Sequence, residues 1–144
     1  VLSFSDKGRL GKLVEYLYFK VPNNSNPEAD FVEAGIELKC TGLKTGKKEQ
    51  YLIKERLVCN MINYCDDVNV EFEQSHFYKK CCILLILFYL YQKGVEKVNL
   101  KFLYSLLWKF PAKDLMIIKH DYQIRIFNGG VSLSYDYFSR FGYV

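Results

Sequence analysis

Apolar positions along the chain change period several times, and each change predicts an element. In "FSDKGRLGKLVEYLYF", Leu10, Leu13, Val14, Leu17 and Tyr18 recur at helical spacing and predict an amphipathic helix with Glu15 at the edge of its stripe. "KVPNNSNPEA" is turn chemistry throughout and predicts a loop that delivers the chain to Asp30. Ile36, Leu38 and Cys40 then alternate with Glu37 and Lys39, which predicts a strand over 36–41 with the two charges on one face. The glycines and lysines of "TGLKTGKKEQ" predict a hairpin tip, and "ERLVCNMINY" a second strand. "DDVNVEFEQSHFYKK" reads as a polar connection containing a short extended piece. The unbroken apolar run from Cys81 to Tyr91 predicts a central strand buried on both faces, and it has about half the length a membrane span needs. "KVNLKFLYSLLW" predicts another strand, and "PAKDLMIIKHDYQIRIF" a helix opened by Pro111 and closed by Asn128, Gly129 and Gly130. The tail "VSLSYDYFSRFGYV" has no clear period. That order implies an α/β or α+β domain, a sheet with helices at its sides.

Composition narrows the picture little. The 144 residues suit one domain, and an apolar fraction of 50% provides for a packed core. Twenty basic against sixteen acidic residues give a net charge of +4, which permits an anionic partner such as nucleic acid without demanding one. Five cysteines, with no CxxC pair and no secretory signal, point to reduced thiols in a cytoplasmic protein and away from a structural zinc site.

The candidate chemistry lies in Asp30, Glu37 and Lys39. Two carboxylates converging at a strand end can hold a hard cation such as Mg²⁺, which prefers oxygen ligands and keeps some of its waters. A lysine on the same face as the second carboxylate can orient or activate a water, or offset charge building on a phosphoryl group. These are the needs of phosphodiester hydrolysis. The bland alternative is a solvated strand face on which Glu37 and Lys39 neutralise each other.

Four blocks in order bear on that choice. "DKGRLGKLVE" carries Lys7, Gly8, Gly11 and Glu15; "ADFVEAGIELKCT" carries Asp30, Phe31, Gly35, Glu37, Leu38 and Lys39; "KERLVCNMINY" follows; and "SHFYKK" ends on Lys80. Together they resemble the MutH-like nucleases, which comprise the mismatch-repair endonuclease and the GATC-cutting type II restriction enzymes related to it. The second block is similar to that family's "DF.E.G.ELK.T" pattern, and the third resembles the restriction-enzyme branch.

The resemblance implies a restriction-endonuclease-like mixed β-sheet flanked by helices, and Mg²⁺-dependent cleavage of double-stranded DNA, typically at GATC. It implies Asp30, Glu37 and the Leu38 carbonyl as metal ligands, and Lys39 as the residue that holds or activates the attacking water. Glu15 would stand behind the site or bind a second metal, and Lys80 would contact the scissile phosphate region. Against these roles stand ordinary ones: a surface carboxylate for Asp30, a helix-edge carboxylate for Glu15, an ion pair for Lys39, a solvent-end charge for Lys80. Lys7 and Arg9 are expected to touch the DNA backbone. The turn lysines Lys44, Lys47 and Lys48 are expected to be a solvated run, His76 structural, and Trp108 and the tyrosines core or sheet packing. Residues 1–144 are expected to form a single nuclease-like catalytic domain, incomplete at both ends, with 128–144 an atypical tail unlike the family's base-reading segment. The partner would be double-stranded DNA and not a membrane, with a dimer on DNA or a second domain outside this chain. The competing function is a non-catalytic DNA-binding or effector module, or a truncated, inactive remnant of such an enzyme.

Overall fold

The computed structural model describes residues 9–22, 28–60, 67 and 69–127. Lys7, the tail 128–144 and the expected helix stop at Asn128 to Gly130 lie outside them.

Among the described residues, four strands form one mixed sheet. β1 (Glu37–Thr45) and β3 (Ile83–Leu90) are the inner pair and run parallel, with β2 (Tyr51–Ile53) antiparallel on the outside of β1 and β4 (Phe102–Lys109) antiparallel on the outside of β3. The helices whose bounds are described beside the sheet are α1 (Arg9–Leu13), continued by a π-helical turn over Val14–Phe19, α2 (His76–Cys81) and α3 (Ala112–Phe127). Parallel pairing of β1 with β3 requires a crossover, and the connection from Thr45 to Ile83 supplies it through β2 and α2. The fold is the α/β arrangement that the element order implies, and it is consistent with the restriction-endonuclease-like sheet that the resemblance implies.

β3 is central because it is apolar on both faces. Leu84 and Ile86 are fully buried against a cluster that includes Phe72 and Phe77 near α2 and Ile118 and Tyr122 from α3. Leu85 and Leu87 point the other way and pack with Leu10 and Val14 of the first helix and Leu38 of β1. Each fully buried aliphatic side chain contributes roughly 1.5–3 kcal/mol, so the strand is held between two layers.

Several elements differ from the sequence expectations. The apolar stripe of the first helix is half realised: Leu10 and Val14 are buried, whereas Leu17 and Tyr18 are exposed. The π-helical turn beginning at Val14 shifts the angular phase of every later side chain, which carries those two off the core face. β1 runs past residue 41 to Thr45, so Lys44 lies in the strand and only Lys47 and Lys48 occupy the turn. The second strand is not 55–64. It is Tyr51–Ile53, and residues 54–60 have no regular structure although Leu57 and Cys59 are buried in the core. Their alternation reflects a chain laid across the core edge, not a ladder; residues 61–64 lie outside the described residues.

The extended piece expected before Cys81 is helical, a 3₁₀ turn over Phe72–Gln74 followed by α2. Ser75 caps α2, its hydroxyl accepting from the Tyr78 N–H at 3.2 Å. Cys81 therefore ends a helix and β3 starts at Ile83. Trp108 and Tyr122 pack with the core as expected, while Tyr16, Tyr18 and Tyr104 are exposed. The four described cysteines are free thiols. No helix among the described residues is long and apolar enough to cross a membrane.

Candidate active site

β1 carries Glu37 and Lys39 on one face by strand alternation. Their side chains meet, Lys39 Nζ donating to Glu37 Oε1 at 2.9 Å. A tight turn brings Asp30 alongside: Phe31 bridges Ile36, Gly35 supplies a left-handed φ of +62°, and the Leu38 N–H donates to Asp30 Oδ2 at 2.9 Å. The glycine adopts that conformation without the penalty that a Cβ would bring. Leu38, with its side chain in the core, thus anchors Asp30 through its backbone.

Lys80 arrives from α2. In the β1–β3 register Glu37 stands beside Leu84, so the helix that ends just before β3 delivers its last turn to the same strand end. Lys80 Nζ lies 3.8 Å from the Glu37 oxygen that Lys39 already engages. Glu15, on the π-helical turn, lies within electrostatic range of Asp30, Lys39 and Lys80. Five residues from four separate segments therefore converge: Glu15, Asp30, Glu37, Lys39 and Lys80.

The electrostatics of this cluster are unbalanced. Glu37 is only 4% exposed, and its Oε2 is buried without a hydrogen-bond partner. Burial pushes its carboxyl above the usual range, outweighing the opposing pull of Lys39 and Lys80, and Asp30 adds to the rise. Glu15 is raised too, first by burial and then by the charge of Asp30. Burial alone would lower Lys39, but the Glu37 carboxylate beside it reverses the direction, and the ammonium is held above its ordinary value. At neutral pH Lys39 is a charged donor.

A divalent cation suits this donor set. The carboxylates offer hard oxygen atoms, and Glu37 Oε2 is a buried acceptor without a partner. No group of three or more carboxylate, imidazole or thiol side chains is close enough to hold a metal among the described residues.

Other expected residues fall as follows. Arg9 begins α1, and its side chain lies outside the described residues. Lys44 and Lys48 are exposed. His76 Nδ1 lies 3.5 Å from the buried Asp67, whose carboxylate also accepts from the His76 N–H at 3.3 Å, which fits the structural role expected of it. Thr41, which has the same parity along β1 as Glu37 and Lys39, is buried, and its hydroxyl has no hydrogen-bond partner.

Comparison with known proteins bears on the same segments. A description of the DNA mismatch repair enzyme MutH matches residues 19–121, which contain Asp30, Glu37, Lys39 and Lys80. The chain belongs to the MutH family. It is also similar to the type II restriction enzyme Sau3AI of Staphylococcus aureus, with 38% identity over 109 residues. That match takes in 74% of this chain and 22% of the restriction enzyme, so this MutH-family chain spans about a fifth of its relative's length. Restriction endonucleases generally use a divalent metal, in keeping with the carboxylate oxygens of the cluster.

Proposed function

We propose that this chain is the catalytic domain of a Mg²⁺-dependent endonuclease of the type II restriction class, hydrolysing phosphodiester bonds of double-stranded DNA at GATC. The observation that carries this reading is the convergence of Asp30, Lys39 and Lys80 on the strand end that bears Glu37, whose Oε1 both lysines approach while its Oε2 is buried without a partner. A solvated strand face would not bury Glu37 to this extent. The similarity to Sau3AI favours restriction over repair, and GATC is the site typical of the family that the four sequence blocks resemble.

Mg²⁺ would be held by Asp30, Glu37 and the Leu38 carbonyl with water completing its coordination, and when bound it supplies a lowered water pKa and a counter-charge for the phosphate. Lys39, held in its ammonium form, donates a hydrogen bond to the attacking water and fixes its approach to phosphorus. Because its proton is retained near neutrality, its role is to position the water and to offset negative charge. Lys80, from the helix end, faces the phosphate whose charge rises as the water oxygen bonds to phosphorus and the bond to the leaving sugar oxygen breaks. Glu15 biases the same cluster from behind. A cut through both strands needs a second active site across the duplex, supplied by a second copy or by another domain.

The test is incubation of supercoiled, unmethylated, GATC-containing plasmid with the purified chain, with and without Mg²⁺, beside Lys39→Ala. Cleavage at GATC that requires both Mg²⁺ and Lys39 is expected. A folded wild-type chain that leaves the plasmid intact in Mg²⁺ would remove the catalytic reading and leave a DNA-binding module or an inactive remnant.

A further inference from the structure

The π-helical turn that brings Glu15 to the site rests lightly on the rest of the fold. Tyr16, Leu17 and Tyr18 are exposed. Among the described residues, an apolar cleft of about 500 Å³ runs along the turn, lined by Val14, Tyr18 and Phe19 on the helical side and by Leu85, Leu87 and Phe102 on the sheet side. Leu10 and Val14 seat the start of the helix in the core, and the cleft interrupts that support toward its end.

A ring contact holds that end. Phe19 meets Phe31 edge to face, with centroids 5.1 Å apart and planes at 78°, an arrangement aromatic pairs prefer. Phe31 is fixed from both sides: its N–H donates to the Ile36 carbonyl at 2.9 Å, its carbonyl accepts from the Ile36 N–H at 3.3 Å, and Asp30 immediately precedes it in the chain. On the other side of the contact, the Glu15 carbonyl accepts from the Lys20 N–H and from the Val21 N–H, the latter at 3.0 Å. Glu15 is thereby tied to the residues that flank Phe19. The ring pair joins the segment bearing Glu15 to the segment bearing Asp30, and it does so against charge, since burial and then Asp30 raise the Glu15 carboxyl.

We propose that Phe19 and Phe31 are positioning residues of the active site, whose contact sets the distance of the Glu15 charge from the cation held by Asp30 and Glu37. The cation itself rests on the nuclease reading. Coulomb attraction falls with separation, so loosening the contact lets Glu15 drift from the ion and lowers Mg²⁺ affinity without altering Asp30 or Glu37. Neither aromatic residue touches the reacting atoms; both act through Glu15.

The experiment is titration calorimetry of the full chain with Mg²⁺ at pH 8. Phe19→Leu, which keeps an apolar side chain in the cluster and removes the ring, is expected to weaken Mg²⁺ binding about tenfold, and Phe19→Tyr, which keeps the ring, to bind as the wild type does. Phe19→Met carries the same comparison if the leucine variant does not fold. Coupling distinguishes positioning from general support: in a Glu15→Gln background Phe19→Leu should cause no further loss, and Phe19→Leu combined with Phe31→Leu should bind no more weakly than either alone. A folded Phe19→Leu chain that binds Mg²⁺ like the wild type, a loss of equal size with and without Glu15, or a wild type that binds no Mg²⁺ would each overturn the assignment. Plasmid cleavage keeps the two readings apart. A chain that cuts, with Mg²⁺ affinity unchanged in Phe19→Leu, keeps the nuclease and loses the positioning role; coupling through Glu15 in a chain that does not cut keeps the positioning role and loses the nuclease.

Discussion

Lys39→Ala separates the electrostatic work of this residue from its chemical work. In the folded chain the Glu37 side chain is 5% exposed, Lys39 is 19% exposed, and their contact is 2.9 Å. Removing one partner of a buried pair costs about 3–5 kcal/mol because the other charge is left without compensation. Lys80, at 3.8 Å from the same oxygen, retains part of the compensation, so the expected loss at pH 8 is about 2–3 kcal/mol. With a urea m-value of about 2 kcal/mol per molar, that moves the unfolding midpoint by roughly 1–1.5 M. The loss must depend on pH. Glu37 is raised above 4.5 in the fold, so its contribution to stability is complete below 4.5 and is lost as pH climbs through the folded value. Lys39 is raised above 10.5, so its contribution is complete below 10.5 and is lost as pH rises through its folded value. The penalty of Lys39→Ala should thus be full between those two titrations and shrink as Glu37 is protonated toward pH 4.5. Urea unfolding at pH 8 and pH 4.5, with Glu37→Gln and the double variant completing a cycle, measures the pair directly. Equal midpoints for wild type and Lys39→Ala at pH 8, or a loss of the same size at pH 4.5, would refute the reasoning.

Two further outcomes follow from the same geometry. Mg²⁺ or Ca²⁺ should raise the thermal midpoint of the wild type but not of Asp30→Asn or Glu37→Gln, and by linkage it should bind more tightly as pH rises above 4.5 through the raised Glu37 carboxyl, as a titration calorimetry series from pH 4.5 to pH 8 would show. Ser75→Ala, which deletes the cap of the helix carrying Lys80, should cost about 1–2 kcal/mol in urea unfolding; a midpoint within error of the wild type would argue against the capping contact.

Much of the candidate site is local and can therefore be read from sequence. Glu37 and Lys39 share a face because any strand alternates, whatever packs against it, and a glycine at Gly35 between Asp30 and Glu37 accommodates the left-handed turn that folds one back on the other. The start of α3 just after Pro111 and the central place of β3 also follow from turn chemistry and from an apolar run too continuous to face water. Glu15 and Lys80 are different. Nothing in their own surroundings marks them, and only family resemblance singles them out.

Tertiary structure decided the rest. The parallel β1–β3 register sets Leu84 beside Glu37 and so brings Lys80 to a residue more than forty positions away. Packing then set the electrostatics: no local pattern reveals that Glu37 has a buried oxygen without a partner, or that its carboxylate outweighs the effect of burial on Lys39. The segment after β2 shows the limit from the other side, since Leu57 and Cys59 alternate like a strand yet pair with nothing as a ladder. Periodicity reports which side chains seek the core. Which backbone edges meet, and which charges lose their water, depend on contacts between distant segments that only the packed chain brings together.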